Sequence, residues 1–233
     1  MLQIRKSDTR GVFRISWLDS KHSFSFGEYH DPKFMGYRSL RVINEDKVTP
    51  GAGFDTHGHR DMEIISYVLK GAIEHRDSLG TGSVIKPDDV QIMSAGTGIR
   101  HSEFNPSNVE PVHFLQIWII PERDGLMPRY EQRTFPKAAK HNRLRLVGSC
   151  DGREDSIRVF QDVDLYASVL DAGARVSFAP KPDRGNWIQI ARGTAVVNGE
   201  PIGAGDGVAI DKLPEIAIVG GTEGAELLLF DLA

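Results

Sequence analysis

A series of short apolar runs, each closed by a turn residue, constrains this chain more than any other feature. "SLRVIN", "EIISYVLKG", "VQIMSAG", "VHFLQIWIIP", "NWIQIARG", "TAVVNG", "GVAI", "EIAIVG" and "ELLLFDL" all have this form. Their lengths and β-branched content fit strands, and long stretches of helical period are scarce. With 24 glycines in 233 residues, turn-forming residues are plentiful. The expected class is all-β, with strands organised as sandwiches or barrels.

A weak internal repeat bears on the domain count. "SYVLKGAIEHRDSLG" followed by "DDVQIMSAG" resembles "IQIARGTAVVNGEP" followed by "GDGVAI". Each copy reads as a strand, then Gly71 or Gly193, another strand, a turn, and an acidic residue opening an apolar strand. Two similar barrels in tandem are implied. The segment Arg129 to Leu144 is polar, carries Pro136 and lacks strand alternation, so the join is expected near residue 140. That gives an N-terminal barrel over 1–140 and a C-terminal barrel over 141–233.

Composition removes several functional classes. No apolar run approaches the roughly 18 residues of a membrane span. Met1 to Arg10 is polar without an apolar core, so a cytoplasmic protein with no membrane partner is expected. The single cysteine, Cys150, excludes an intramolecular disulfide and argues against thiolate-rich metal sites. A net charge of −4 with pI near 6.1, and no block of Lys/Arg, argues against direct nucleic-acid binding. A small molecule or a protein is the better partner, and the chain is expected to act as a monomer.

The chemistry is concentrated in two pairs of residues. His57 and His59 in "GFDTHGHRDME" are spaced i, i+2, which on a strand puts both imidazoles on one face about 6.6 Å apart. His101 and Glu103 in "GTGIRHSEFN" repeat the spacing. Three imidazoles and one carboxylate suit a divalent transition metal: iron, nickel, copper, manganese, zinc or cobalt. Glu63 lies four residues past His59, about 13 Å along a straight strand, so Glu103 is preferred as the carboxylate ligand. Glu63 is then an outer partner of a ligating imidazole, a role Asp61 could share. In the second half the corresponding positions are Ala179 and Lys181, and no histidine follows His141. The metal site is therefore expected once.

The residues around these pairs resemble the two motifs of the cupin superfamily. Gly51, His57, His59 and Glu63 fall on the first, and Gly98, His101 and Asn105 on the second. Beyond the motifs, "FSFGEYHDPKFMGYRSLRVINEDKVTPGAGFDTHGHRDMEIISYVLKGAIEHRDSLG", "VQIMSAGTGIRHSEFNPS", "WIQIARGTAVVNG" and "ELLLFDL" resemble the pirin family of bicupins. The resemblance implies two jelly-roll-like cupin barrels in tandem. It also implies one mononuclear metal, usually iron, on His57, His59, His101 and Glu103. For bacterial members it implies an activity of quercetin 2,3-dioxygenase type, which opens the central ring of a flavonol with O2 and releases carbon monoxide. Two departures stand out: Gly58, where the family commonly has proline, and Asp88, where it usually has glycine.

On this reading Glu103 is also the catalytic base, accepting the proton of a metal-bound substrate hydroxyl. Phe54 and Gln116 are candidate pocket residues for a flat aromatic substrate, with Phe24 and Phe26 as further candidates. His22, His30, His75, His113 and His141 are expected to be ordinary hydrogen-bonded or exposed histidines, although His75 and His113 could line the barrel. The alternative reading is a non-catalytic regulator of a protein partner, with the metal tuning its surface by redox state.

Overall fold

The computed structural model describes residues 1–233. Strand accounts for 58% of the chain and helix for 4%, so the protein is all-β. In chain order the strands are β1 (Leu2–Arg5), β2 (Gly11–Arg14), β3 (Leu18–His22), β4 (Leu40–Val48), β5 (Gly53–His59), β6 (Glu63–Lys70), β7 (Ile73–Asp77), β8 (Gly82–Ile85), β9 (Asp89–Ser94), β10 (Ile99–Phe104), β11 (Val112–Ile119) and β12 (Arg129–Thr134). They continue with β13 (Arg145–Ser149), β14 (Ile157–Arg158), β15 (Val163–Leu170), β16 (Arg175–Phe178), β17 (Gly185–Val197), β18 (Glu200–Gly203), β19 (Gly207–Asp211) and β20 (Ile216–Leu232). No helix is long and apolar enough to cross a membrane.

The chain divides into two compact units, and each takes a short piece from the other half of the sequence. The first comprises Gly11–Thr134 and Ile157–Gln161; the second comprises Met1–Arg10, Phe135–Ser156 and Asp162–Ala233.

The first unit is a pair of antiparallel sheets, one in the order β12-β9-β6-β11-β4-β3-β2 and the other β5-β10-β7-β8. β4 shows how the sequence sets the faces. Leu40, Val42, Asn44, Asp46 and Val48 are buried on one face, while on the other Arg41, Glu45 and Lys47 are at least partly exposed and Ile43 alone is buried, a period-2 alternation broken at one position. The sheets meet through a cluster of Leu18, Val48, Val68, Ile73, Ile85, Val112 and Phe114, with Phe54 and Trp17 packed against it. One row of directly opposed residues crosses the larger sheet as His22, Asn44, Gln116, Ser66, Gln91 and Gln132. Every member of that row is polar.

β12 lies inside the polar segment Arg129 to Leu144 and pairs with β9 from Arg129↔Ser94 to Thr134↔Asp89. It forms the sheet's edge and all its side chains are at least partly exposed, so the alternation that marks a half-buried strand is absent.

The second unit is built on the strand order β1-β19-β17-β20-β15-β13. Its core is aliphatic: Ile188, Ile190, Val208, Ile210, Ile218, Leu227 and Leu229 are all almost inaccessible. The apolar runs on either side of Gly193 belong to one strand, β17, and those around Gly220 to another, β20. A register shift between Gly193 and Ala195 bends β17 without ending it. Gly193 has φ +68°, and a Cβ there would lie 2.1 Å from the Gly224 carbonyl oxygen, so the bend requires glycine. β1 covers the β19 edge, from Leu2↔Ile210 to Arg5↔Gly207.

Candidate metal centre

β5 and β10 pair antiparallel, with His57 opposite His101 and His59 opposite Ile99. Between His101 and Glu103 the register slips by one residue, which sets Glu103 against Phe54. Cross-strand pairing therefore joins two sequence motifs lying more than forty residues apart. The His57, His59 and His101 ring centroids stand 4.5 to 4.9 Å from one another. One donor atom from each of the three lies within 4.8 Å of the others.

The three imidazoles present lone pairs. His57 Nδ1 lies 2.7 Å from the Asp55 carbonyl oxygen, so it carries the proton and leaves Nε2 free. Burial, and then the neighbouring His57, hold His59 down at about 4. Burial, followed by His57, His59 and His75, holds His101 down at about 2. Neutral rings are what a cation requires. His101 Nε2 is buried without a hydrogen-bond partner, an arrangement that costs free energy unless something coordinates it. This donor set fits a divalent transition metal.

Glu103 is buried next to His101, in a second donor group with His101 and His75. Gln116 Nε2 donates to its Oε2 at 3.2 Å. Ser66 Oγ stands 3.2 Å from both Glu103 Oε1 and Gln116 Oε1, so its single proton serves one of them at a time. Burial lifts Glu103 to about 7 against the Ser66 hydrogen bond, and the charge of Asp46 adds to the rise. A carboxyl poised near neutrality can both take and give up a proton.

The remaining candidate residues occupy defined places. Glu63 is buried, and its Oε2 accepts from Ser94 Oγ at 2.9 Å and from the Phe160 amide at 3.0 Å. It belongs to neither donor group. Asp61 accepts from the Gly125 amide at 2.7 Å. Phe54 packs edge-on against Trp17 at 5.2 Å, and Phe24 is buried. Asp88 adopts φ +75°, the left-handed conformation that glycine takes most easily. Among the other histidines, His113 pairs with Glu45 at 2.9 Å and His141 with Asp171 at 2.7 Å.

Sequence reasoning missed two features. Trp118 stacks edge-on against His59 at 5.0 Å and against Phe26 at 5.2 Å, which extends an aromatic wall from the imidazole cluster. His75, passed over for lack of a partner, is fully buried beside His101 and bonds Asp77 at 3.0 Å. The signal was present in "EHRD", where His75 and Asp77 have the same i, i+2 spacing as the two motif pairs.

A bicupin with one imidazole cluster in its first barrel defines the class. The chain belongs to the pirin family: residues 3–119 match the Pirin model, and residues 146–232 match that of the quercetinase C-terminal cupin domain. It is 46% identical to a quercetin 2,3-dioxygenase of Escherichia coli K12 over 232 residues, covering 100% of this chain and 99% of that one. It is 40% identical to a putative quercetin 2,3-dioxygenase of Pseudomonas aeruginosa, covering all of both chains. The crystal structure of YhhW from Escherichia coli superposes with a TM-score of 0.96 at 46% identity, covering 100% of this chain and 98% of that one. The bacterial pirin YhhW in complex with nickel(II) gives 0.94 at the same identity, covering 100% and 99%.

Proposed function

We propose that this protein is a mononuclear-metal dioxygenase of quercetin 2,3-dioxygenase type, which opens the central ring of a flavonol with O2 and releases carbon monoxide. The observation that carries the reading is the convergence of the His57, His59 and His101 donor atoms beside the buried carboxyl of Glu103. The names of the Escherichia coli and Pseudomonas aeruginosa relatives support the same activity.

His57, His59 and His101 would hold the metal, with Glu103 as the fourth ligand. Iron is the expected ion, and the nickel(II) complex of the Escherichia coli relative makes nickel the second to test. When bound, the metal would act as a Lewis acid that lowers the pKa of a substrate hydroxyl. Gln116 donates to Glu103 Oε2 and Ser66 Oγ stands within reach of Oε1, and each oxygen keeps a lone pair. Glu103 can therefore take the hydroxyl proton of the flavonol. Trp118 presents its ring beside His59 and Phe26 packs against Trp118, an apolar surface suited to a flat aromatic substrate. His57 and His59 are half-buried while His101 is inaccessible, so substrate approaches from the β5 side.

The test is oxygen uptake and carbon monoxide release with quercetin, comparing the metal-loaded parent with His101→Ala and Glu103→Gln. Turnover is expected in the parent and loss of it in both variants. Equal turnover in parent and His101→Ala refutes the assignment.

A further inference from the structure

His75 and Asp77 lie on β7, which pairs with β10 on the side away from β5. The register sets Asp77 opposite His101 and His75 opposite Glu103. Neither His75 nor Asp77 exposes any side chain. His75 Nδ1 faces His101 Nδ1 at 3.5 Å, and His75 Nε2 faces Asp77 Oδ2 at 3.0 Å. Asp77 Oδ1 is in turn fixed by the backbone amides of Leu79 at 2.9 Å and Thr81 at 3.1 Å. The His75 ring is also held against Tyr130, with centroids 4.8 Å apart.

These contacts admit one consistent set of proton positions. Asp77 accepts at both oxygens, so His75 Nε2 carries a proton. Burial disfavours charge on His75, so its Nδ1 presents a lone pair toward His101. Two facing lone pairs would repel, so His101 Nδ1 carries its own proton and donates it. That leaves the lone pair of His101 on Nε2, the buried atom with no protein partner.

We propose that His75 and Asp77 are positioning residues which lock His101 in its Nδ1–H tautomer and aim its Nε2 lone pair at the metal. The inference rests on the metal reading of His57, His59 and His101. It assigns to His75 and Asp77 the outer-partner role expected of Glu63 and Asp61 on sequence grounds. A carboxylate behind a ligating imidazole orients the ring and raises its basicity; here a second imidazole transmits the effect. The chain also accounts for the donor group of His75, His101 and Glu103 without a second ion, because the facing nitrogens are occupied by the relay.

Asp77→Asn is the discriminating variant. Its Oδ1 can still accept from Leu79 and Thr81, but Nδ2 now donates toward His75 Nε2. His75 is driven to the Nδ1–H tautomer and His101 to the Nε2–H tautomer, which blocks the ligating atom. Nickel(II) affinity, measured on the full chain by competition with a chelator, should fall about 10- to 100-fold. The thermal midpoint of the metal-free protein should change little. Nitrogen-15 imidazole spectra of the metal-free chain should show His101 protonated at Nδ1 and His75 at Nε2 in the parent, with both reversed in Asp77→Asn. His75→Phe keeps a ring against Tyr130 and removes the acceptor, so it should also weaken nickel(II) binding. Parent-like affinity in both variants, or a parent His101 protonated at Nε2, overturns the relay. Binding of two nickel ions per chain overturns it in favour of a second metal site. A parent that binds no nickel(II) refutes the metal reading itself, and the parent tautomer spectra still decide the relay.

Discussion

Asp46 offers a test of how the first barrel holds charge. It lies on β4, 4% exposed, and accepts a hydrogen bond from Ser20 Oγ, which His22 Nε2 meets at 2.8 Å. Burial raises its pKa from 3.8 to about 7; the Ser20 bond opposes the rise and Glu45 adds to it. The sign follows from which state keeps the proton. Below pH 3.8 both folded and unfolded chains are protonated and the group is neutral to stability. As pH rises toward 7 the unfolded chain ionises first, so folding is progressively penalised. A shift from 3.8 to about 7, at ~1.36 kcal/mol per pH unit, is a penalty on the order of 4 kcal/mol once fully developed. Asp46→Asn retains an acceptor for Ser20 and removes the ionisation. Between pH 5 and pH 8 it should therefore gain about 3 kcal/mol relative to the parent, most of it before pH 7. Loss of the Asp46 charge also lowers Glu103, which acts in the same direction. The assay is urea unfolding of chelator-treated protein at unit pH steps, with the m-value checked for constancy. Parallel stability curves for parent and variant would refute the argument, because they would mean that the carboxyl is solvated.

Three further outcomes follow from other parts of the molecule. Nickel(II) at a hundred times its dissociation constant should stabilise the parent by about 2.7 kcal/mol and His57→Ala by nothing, as read from thermal midpoints with and without metal. Gly193→Ala places a methyl 2.1 Å from the Gly224 oxygen at φ +68° and should cost about 2 to 3 kcal/mol in urea unfolding. Deleting Met1–Arg5 uncovers the β19 edge, which should lower the thermal midpoint and increase aggregation by light scattering.

The pairs His57/His59 and His101/Glu103 were legible because a strand repeats every two residues, so an i, i+2 pair shares a face in any β context. The structure brings the first three of these residues into one donor group and places Glu103 with His101 and His75 in another. A period cannot reveal which strand lies alongside. His75 and Asp77 have the same spacing, but their significance depends on β7 pairing with β10. β12 was invisible for a different reason: an edge strand with partly exposed side chains on both faces has no hydrophobic period. β17 was read as two strands because a mid-strand glycine looks like a turn, and its single bent course becomes evident only from the continuous ladder with β20.

Both units bury polar side chains, among them Asn186, Gln189, Asp206 and Asp231 in the second. The first carries the row His22, Asn44, Gln116, Ser66 and Gln91 across its main sheet, all buried. Asn44 Oδ1 and both amide atoms of Gln91 have no partner. A buried polar atom left unpaired costs about 1 to 3 kcal/mol, and an aliphatic residue at the same inward position would avoid that cost. Ser66 and Gln116, two members of the row, are the donors to Glu103, so the row passes directly behind the proposed base. Real proteins break the rules of core packing chiefly at functional sites. In the first barrel the row is one such break, and it reaches Glu103 and, beside it, His101.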